Sequence, residues 1–215
     1  MPTDRDLVQI VDTALAEATR KSGAWLACRL GCTECCLGPF PITQLDAVRL
    51  RQGLADLEAR DPRRGARVRE RARQSVARLR ADFPGDAATG VLDEDEAAEE
   101  RFAALPEDEP CPVLDPETGA CDLYAARPIT CRAFGPALHY PSQDLGVCEL
   151  CYRGTSHEEI AACAVEVDAQ RLENALAEEL EASTGARGQT IVAFALAGAP
   201  PGPPATPPLH DTNAR

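Results

Sequence analysis

Nine of the ten cysteines of this chain stand in two blocks, Cys28-x3-Cys32-x2-Cys35-Cys36 and Cys111-x9-Cys121-x9-Cys131-x16-Cys148-x2-Cys151, and any fold must give them a use. Four thiols within nine residues are too dense to be chance burial of a small apolar side chain. Disulfides are a poor explanation, because a chain of 215 residues can bury enough apolar surface to fold without such staples. The start Met1-Pro2-Thr3-Asp4-Arg5-Asp6 has none of the features of an export signal, and no apolar run reaches membrane-spanning length. The sequence therefore reads as cytoplasmic and not membrane-bound, in a compartment that keeps thiols reduced. Metal ligation is the reading that remains. Loops of two residues let successive sulfurs converge on one ion, and Cys32 with Cys35, and Cys148 with Cys151, meet that condition.

Around the cysteines the pattern is helical. Only 4% of residues are aromatic, so the core is aliphatic, and a mainly α fold is expected: one domain over residues 1–198 with an irregular cysteine-rich centre and a small β-hairpin. Thr3 with Asp6 opens a first helix running to about Lys21, and Thr43 with Asp46 opens a second that stops near Asp61-Pro62. An arginine-dense third helix follows. Residues 46–80 hold eleven arginines against five acids, with heads in water or turned to an acidic protein partner. Residues 81–109 reverse the sign, with eleven acids against the single Arg101, and read as an acidic surface loop pairing with that helix. A net charge of −13 argues against nucleic acid as a partner. Ser156 with Glu159 begins a long last helix, whose stripe of Ile160, Cys163 and Val167 makes Cys163 a packing residue. Ile191–Leu196 fits a strand or a helix equally, and the proline-rich residues 199–215 read as a disordered tail.

Asp115-Pro116-Glu117-Thr118-Gly119 is a strong turn sequence that should bring Cys111 and Cys121 together, and Pro128 should start a short helix with Cys131 in its first turn. Arg127 and Arg132 flank Cys131, either as donors offsetting thiolate charge or in ordinary cap and salt-bridge roles. His139 lies between ligand-rich segments, His157 at a helix start and His210 in the tail, all weaker candidates than the thiols.

Cys32-x2-Cys35-Cys36, Cys111-Pro112, Gly119-x-Cys121-x2-Tyr124-x2-Arg127-Pro128-x2-Cys131-Arg132 and Cys148-x2-Cys151 resemble the YkgJ-like cysteine-cluster family, over residues 25–152. The family's signature is C-x2-C-x2-C-C, whereas three residues separate Cys28 from Cys32 here. The resemblance implies zinc or iron chelation. A similar cysteine domain occurs in flagellin lysine N-methylases, where it goes with an iron–sulfur cluster. That favours an iron–sulfur cluster over zinc, although four thiolates suit either. Nine thiols exceed the needs of one mononuclear ion, and adjacent Cys35 and Cys36 do not readily face the same metal; either two sites exist or some thiols support one. Three functions are compatible with this reading: a metal-binding or electron-transfer protein, a metal-dependent enzyme (a lysine methylase relative or an iron–sulfur redox catalyst), and a partner-binding module using the arginine helix.

Overall fold

The computed structural model describes residues 2–29, 31–139, 147–167 and 169–198. The expected proline-rich tail and His210 lie outside them.

Helices begin where local hydrogen-bond chemistry directs. α1 (Asp4–Ser22) follows Thr3, whose N–H and hydroxyl both donate to the Asp6 carboxylate. α2 (Gln44–Arg60) follows Thr43, whose hydroxyl oxygen accepts the Asp46 N–H at 3.1 Å. α3 (Pro62–Leu79) follows Asp61, which accepts the Arg64 N–H at 3.0 Å, while Pro62 takes the first helical position, where a missing N–H costs little.

Two stretches depart from the sequence reading. Residues 81–109 are not simply an acidic loop: they contain the hairpin β2 (Gly85–Asp86) with β3 (Val91–Leu92), and then α4 (Glu96–Ala103). Asp86 accepts from the Ala88 N–H and the Thr89 hydroxyl, and Asp95 caps α4 through the Ala98 N–H, so acids counted as charge serve as turn and cap residues. Phe83, Leu92 and Leu105 pack this segment against Leu79 and Ile191. The long last helix is also divided. α6 (His157–Cys163) starts with the Ser156–Glu159 capping box but gives way at Ala164, where ψ is 142°. β5 (Val165–Glu166) then runs parallel to β4 (Leu138–His139), the Val165 and Val167 N–H groups donating to the carbonyls of Ala137 and His139, before α7 (Gln170–Thr184) begins. Donors committed to that ladder are lost to a helix. The ambiguous apolar run is helical: β6 (Gln189–Thr190) pairs with β1 (Ile42–Thr43) and leads into α8 (Val192–Ala197).

The result is mainly α, with small two-stranded sheets, and two apolar clusters hold the cysteine segments between them. In one, Leu50, Leu54 and Leu57 of α2 meet Val68 of α3, Val192 and Leu196 of α8, and Val113 and Leu123 beside Cys111 and Cys121. In the other, Leu7, Val11 and Ala18 of α1 meet Ile129 and Ala133 of α5 (Ile129–Ala133) together with Leu138 and Val167. Each fully buried leucine or isoleucine contributes about 1.5–3 kcal/mol, so the scaffold has packing of its own apart from any metal.

The arginine helix faces inward more than expected. Arg64 and Arg71 both bind the buried Asp122, Arg71 also donates to the Pro112 carbonyl at 2.8 Å, and Arg78 pairs with Glu109 at 2.6 Å. Its basic side thereby clamps the Cys111–Cys121 turn from both ends, while Arg63 and Arg67 remain exposed.

Candidate metal centre

The two cysteine blocks are joined through the backbone at two points. At the first, the Cys111 N–H donates to the Cys36 carbonyl at 2.8 Å, the Gly38 N–H to the Glu109 carbonyl at 2.9 Å, and Leu37 bridges Pro110. At the second, the Tyr152 N–H donates to the Trp25 carbonyl at 2.8 Å and the Ala27 N–H points to Cys151 Sγ at 3.4 Å. The turn between Cys111 and Cys121 forms as its sequence dictates, with the Gly119 N–H donating to the Asp115 carbonyl at 2.9 Å and Leu114 bridging Cys121. A tight turn at Tyr124–Ala126 then rests on α2 at Gly53, where a Cβ would come within 2.4 Å of the Ala126 Cβ. α5 follows Pro128 and carries Cys131 as its third residue.

Around these contacts the thiols approach one another in two neighbourhoods, each drawing on both blocks and both bordering shared cavities. Cys35 and Cys36 face Cys111, Cys121 and Cys131, close enough for thiolate charge on any of the last three to act on Cys36. Cys28 instead turns to Cys148 and Cys151, with 3.9 Å between Cys28 Sγ and Cys151 Sγ, and Cys32 lies beside Cys28. Gly135 makes room for this second group, since a Cβ there would stand 2.7 Å from Cys28 Sγ. Cys148 and Cys151 are buried, and the Cys151 N–H closes a turn onto the Cys148 carbonyl at 2.8 Å.

The electrostatics suit a cation. Burial, reinforced by neighbouring thiols, pushes Cys28 and Cys111 up to about 12, and burial also raises Cys121, Cys131 and Cys148. Cys36 is the exception: it accepts a hydrogen bond from Cys35, which favours its thiolate and holds the Cys35 proton. Raised thiols are protonated at neutral pH, so a metal must displace their protons and its binding weakens as pH falls. Among the described residues no three His, Cys, Asp or Glu side chains, as they stand, surround a point closely enough to hold an ion. The donor set, all sulfur, matches zinc and iron–sulfur chemistry rather than magnesium or calcium. A cavity of about 510 Å³ opens among Cys28, Cys32, Cys35, Cys36, Cys111, Cys121 and Cys131, large enough for an inorganic cluster and its sulfurs.

Of the two arginines that the sequence singles out, Arg127 lies with the sulfurs. Its charge favours thiolate on Cys35, Cys121 and Cys131, and its guanidinium stacks 3.6 Å from the centroid of the Tyr124 ring. Arg132 takes the salt-bridge role, gripping Asp12 at 2.7 and 2.8 Å and donating to the carbonyls of Arg127 and Ala125. His139 sits on β4 and His157 starts α6.

Two residues support the centre in ways that their sequence pattern does not disclose. Asp46, 2% exposed, accepts the Ile129 N–H at 3.0 Å and holds Arg49 at 2.5 Å, fixing the start of the helix that carries Cys131. Tyr152, directly after the last cysteine, has φ +54° and a buried hydroxyl bonded to Ser22 at 2.5 Å and to the Ala137 N–H at 2.9 Å. Cys163 is buried beside Cys148, Cys151 and Tyr152, its Sγ pointing to the Lys21 carbonyl at 3.6 Å. Cys163→Ala should keep full metal content and cost about 1 kcal/mol in a denaturant titration. Loss of metal in that variant would make Cys163 a ligand.

A helical scaffold that gathers nine thiols from distant segments has the construction of a thiolate metal-binding protein. Residues 27–164 match the CxxCxxCC family, described as a putative zinc- or iron-chelating domain. The match covers more than half of the chain, and the chain belongs to this family. Comparison with curated proteins and with solved structures returns no match. Among the described residues no helix is long and apolar enough to cross a membrane.

Proposed function

We propose that this chain is an iron–sulfur protein of the cytoplasm, its cluster held by Cys111, Cys121, Cys131 and a member of the Cys35–Cys36 pair, acting in metal binding or electron transfer. The carrying observation is the convergence of five thiols from both blocks beside Arg127, on the wall of the 510 Å³ cavity. An iron–sulfur cluster takes four thiolates and tolerates irregular ligand spacing, which suits separations of nine residues on either side of Cys121 better than a zinc knuckle does. Bound there, the cluster would supply one-electron redox chemistry. Cys36 begins nearest the thiolate state and Arg127 offsets ligand charge.

Anaerobic purification followed by iron, acid-labile sulfide and zinc analysis, with an absorption spectrum, tests this reading. Iron and sulfide in comparable amounts with visible charge-transfer bands are expected. Stoichiometric zinc alone with a colourless spectrum would replace the cluster by an all-zinc protein.

A second reading, catalysis at the cluster, has one observation in its favour. The cavity runs past the sulfurs to Leu15, Thr19, Leu50 and Pro136, and its volume lies within the range of small-molecule sites. An enzyme would keep one iron open, so added cyanide or a small thiol would change the cluster spectrum; four-cysteine ligation would leave it unchanged.

A further inference from the structure

We propose that Cys28, Cys148 and Cys151, with Cys32 beside Cys28, make a second centre that takes a single tetrahedral zinc ion separate from the iron–sulfur site. This rests on the reading that the thiols of this chain hold metal. Sulfurs bound at about 2.3 Å to one tetrahedral ion stand about 3.8 Å apart, and Cys28 Sγ and Cys151 Sγ are already at 3.9 Å. Thiolates on different irons of a cluster are spread more widely, so this pair is spaced for one ion.

The backbone around it has the form of two ligand loops. Cys148-x2-Cys151 closes the turn described above, and Cys28-x3-Cys32 supplies the opposing pair. The Ala27 N–H is directed at Cys151 Sγ where the loops meet, a hydrogen bond that a metal-bound sulfur would accept. Tyr152 and Trp25 tie the loops by their backbones, so the separation between pairs is fixed by the fold. The surroundings are those of a structural ion. Cys148 and Cys151 pack with Ala137, Tyr152, Leu26 and Leu150, an apolar wall on one side of the group that suits a redox-inert metal. Cys28 and Cys32 reach the edge of the cavity that the other thiol group lines.

Zinc, iron and sulfide per chain, measured on anaerobically loaded wild type, Cys151→Ser and Cys131→Ser, give the test. Wild type should carry one zinc together with iron and sulfide, and zinc-edge X-ray absorption should find four sulfurs and no second metal nearby. Cys151→Ser should lose zinc at least about tenfold while keeping iron, and Cys131→Ser should do the reverse. Cys32→Ser, on an outer loop, repeats the zinc arm should Cys151→Ser not fold. Proportional loss of both metals in every variant would overturn the division in favour of one shared centre, and so would iron and sulfide with no zinc in the wild type. Zinc with four sulfurs but no iron or sulfide would support the second centre while refuting the iron–sulfur reading of the first.

Discussion

Cys131→Ser is expected to strip iron from the chain and to raise amide hydrogen exchange at residues 33–40 and at 111–131 together, leaving α1 and α7 close to their wild-type rates. Cys131 is the thiol that α5 contributes to the group containing Cys35, Cys36, Cys111 and Cys121. Those partners sit on irregular backbone: a tight turn at Glu34–Cys36 and the isolated bridges Leu37–Pro110 and Leu114–Cys121. Segments with so few internal hydrogen bonds draw local stability from what ties them together, and ligation free energy is part of that stability. The helices are held by Leu7, Val11 and Val167 on one side and Leu50, Leu54 and Val68 on the other, none of which needs metal. Exchange that rises only at 111–131 would show that the first block takes no part in this centre.

Asp46→Ala should destabilise the metal-loaded protein by about 3–5 kcal/mol and lower its affinity for iron, although Asp46 touches no cysteine. Its carboxylate is bonded both to the Arg49 guanidinium and to the Ile129 N–H, so truncation leaves a buried amide unpaired and a buried cation with only part of its compensation. Arg49 would retain Asp4 at 2.5 Å and the Arg127 carbonyl at 3.3 Å, which places the cost nearer the lower figure. Because Ile129 starts α5, loosening it also moves Cys131 and the Arg127 carbonyl that Arg49 and Arg132 share. Asp46→Asn keeps an acceptor and should lose less than Asp46→Ala. A change below about 1 kcal/mol in denaturant titrations of Asp46→Ala would mean that the network relaxes freely.

The parts of the fold that the sequence discloses are those fixed by neighbours along the chain. Thr3 with Asp6, Thr43 before α2, Asp61-Pro62 and Ser156 with Glu159 each begin a helix because cap and amide lie within three residues. The turn from Asp115 to Gly119 is legible for the same reason. What periodicity misses is settled by distant partners. Val165 and Val167 leave the helical pattern because the carbonyls of Ala137 and His139 offer their N–H groups a parallel ladder. Counting charge over 81–109 passes over Asp86 and Asp95, whose side chains shape a hairpin and a helix. Among the cysteines the nine thiols are plain in the sequence, but their neighbours are not: Cys28 and Cys36 share one block, yet Cys28 meets Cys151 while the turn at Glu34–Cys36 carries Cys36 to Cys111. Asp46 reads as an ordinary acid in the first turn of α2, since burial of a carboxylate leaves no mark on local pattern.

Ligation by these thiols is tested most directly by thiol-specific alkylation, mapped cysteine by cysteine in metal-loaded and metal-stripped protein. Cys28 and Cys35 are exposed but their thiols are raised, so the difference between loaded and stripped protein, rather than protection in either alone, reports ligation. Loaded protein should leave Cys28 and one of the adjacent pair Cys35 and Cys36 unmodified, and removal of metal by a chelator should open both to the reagent. Rapid alkylation of Cys28, Cys35 and Cys36 in fully loaded protein would contradict metal binding at both groups.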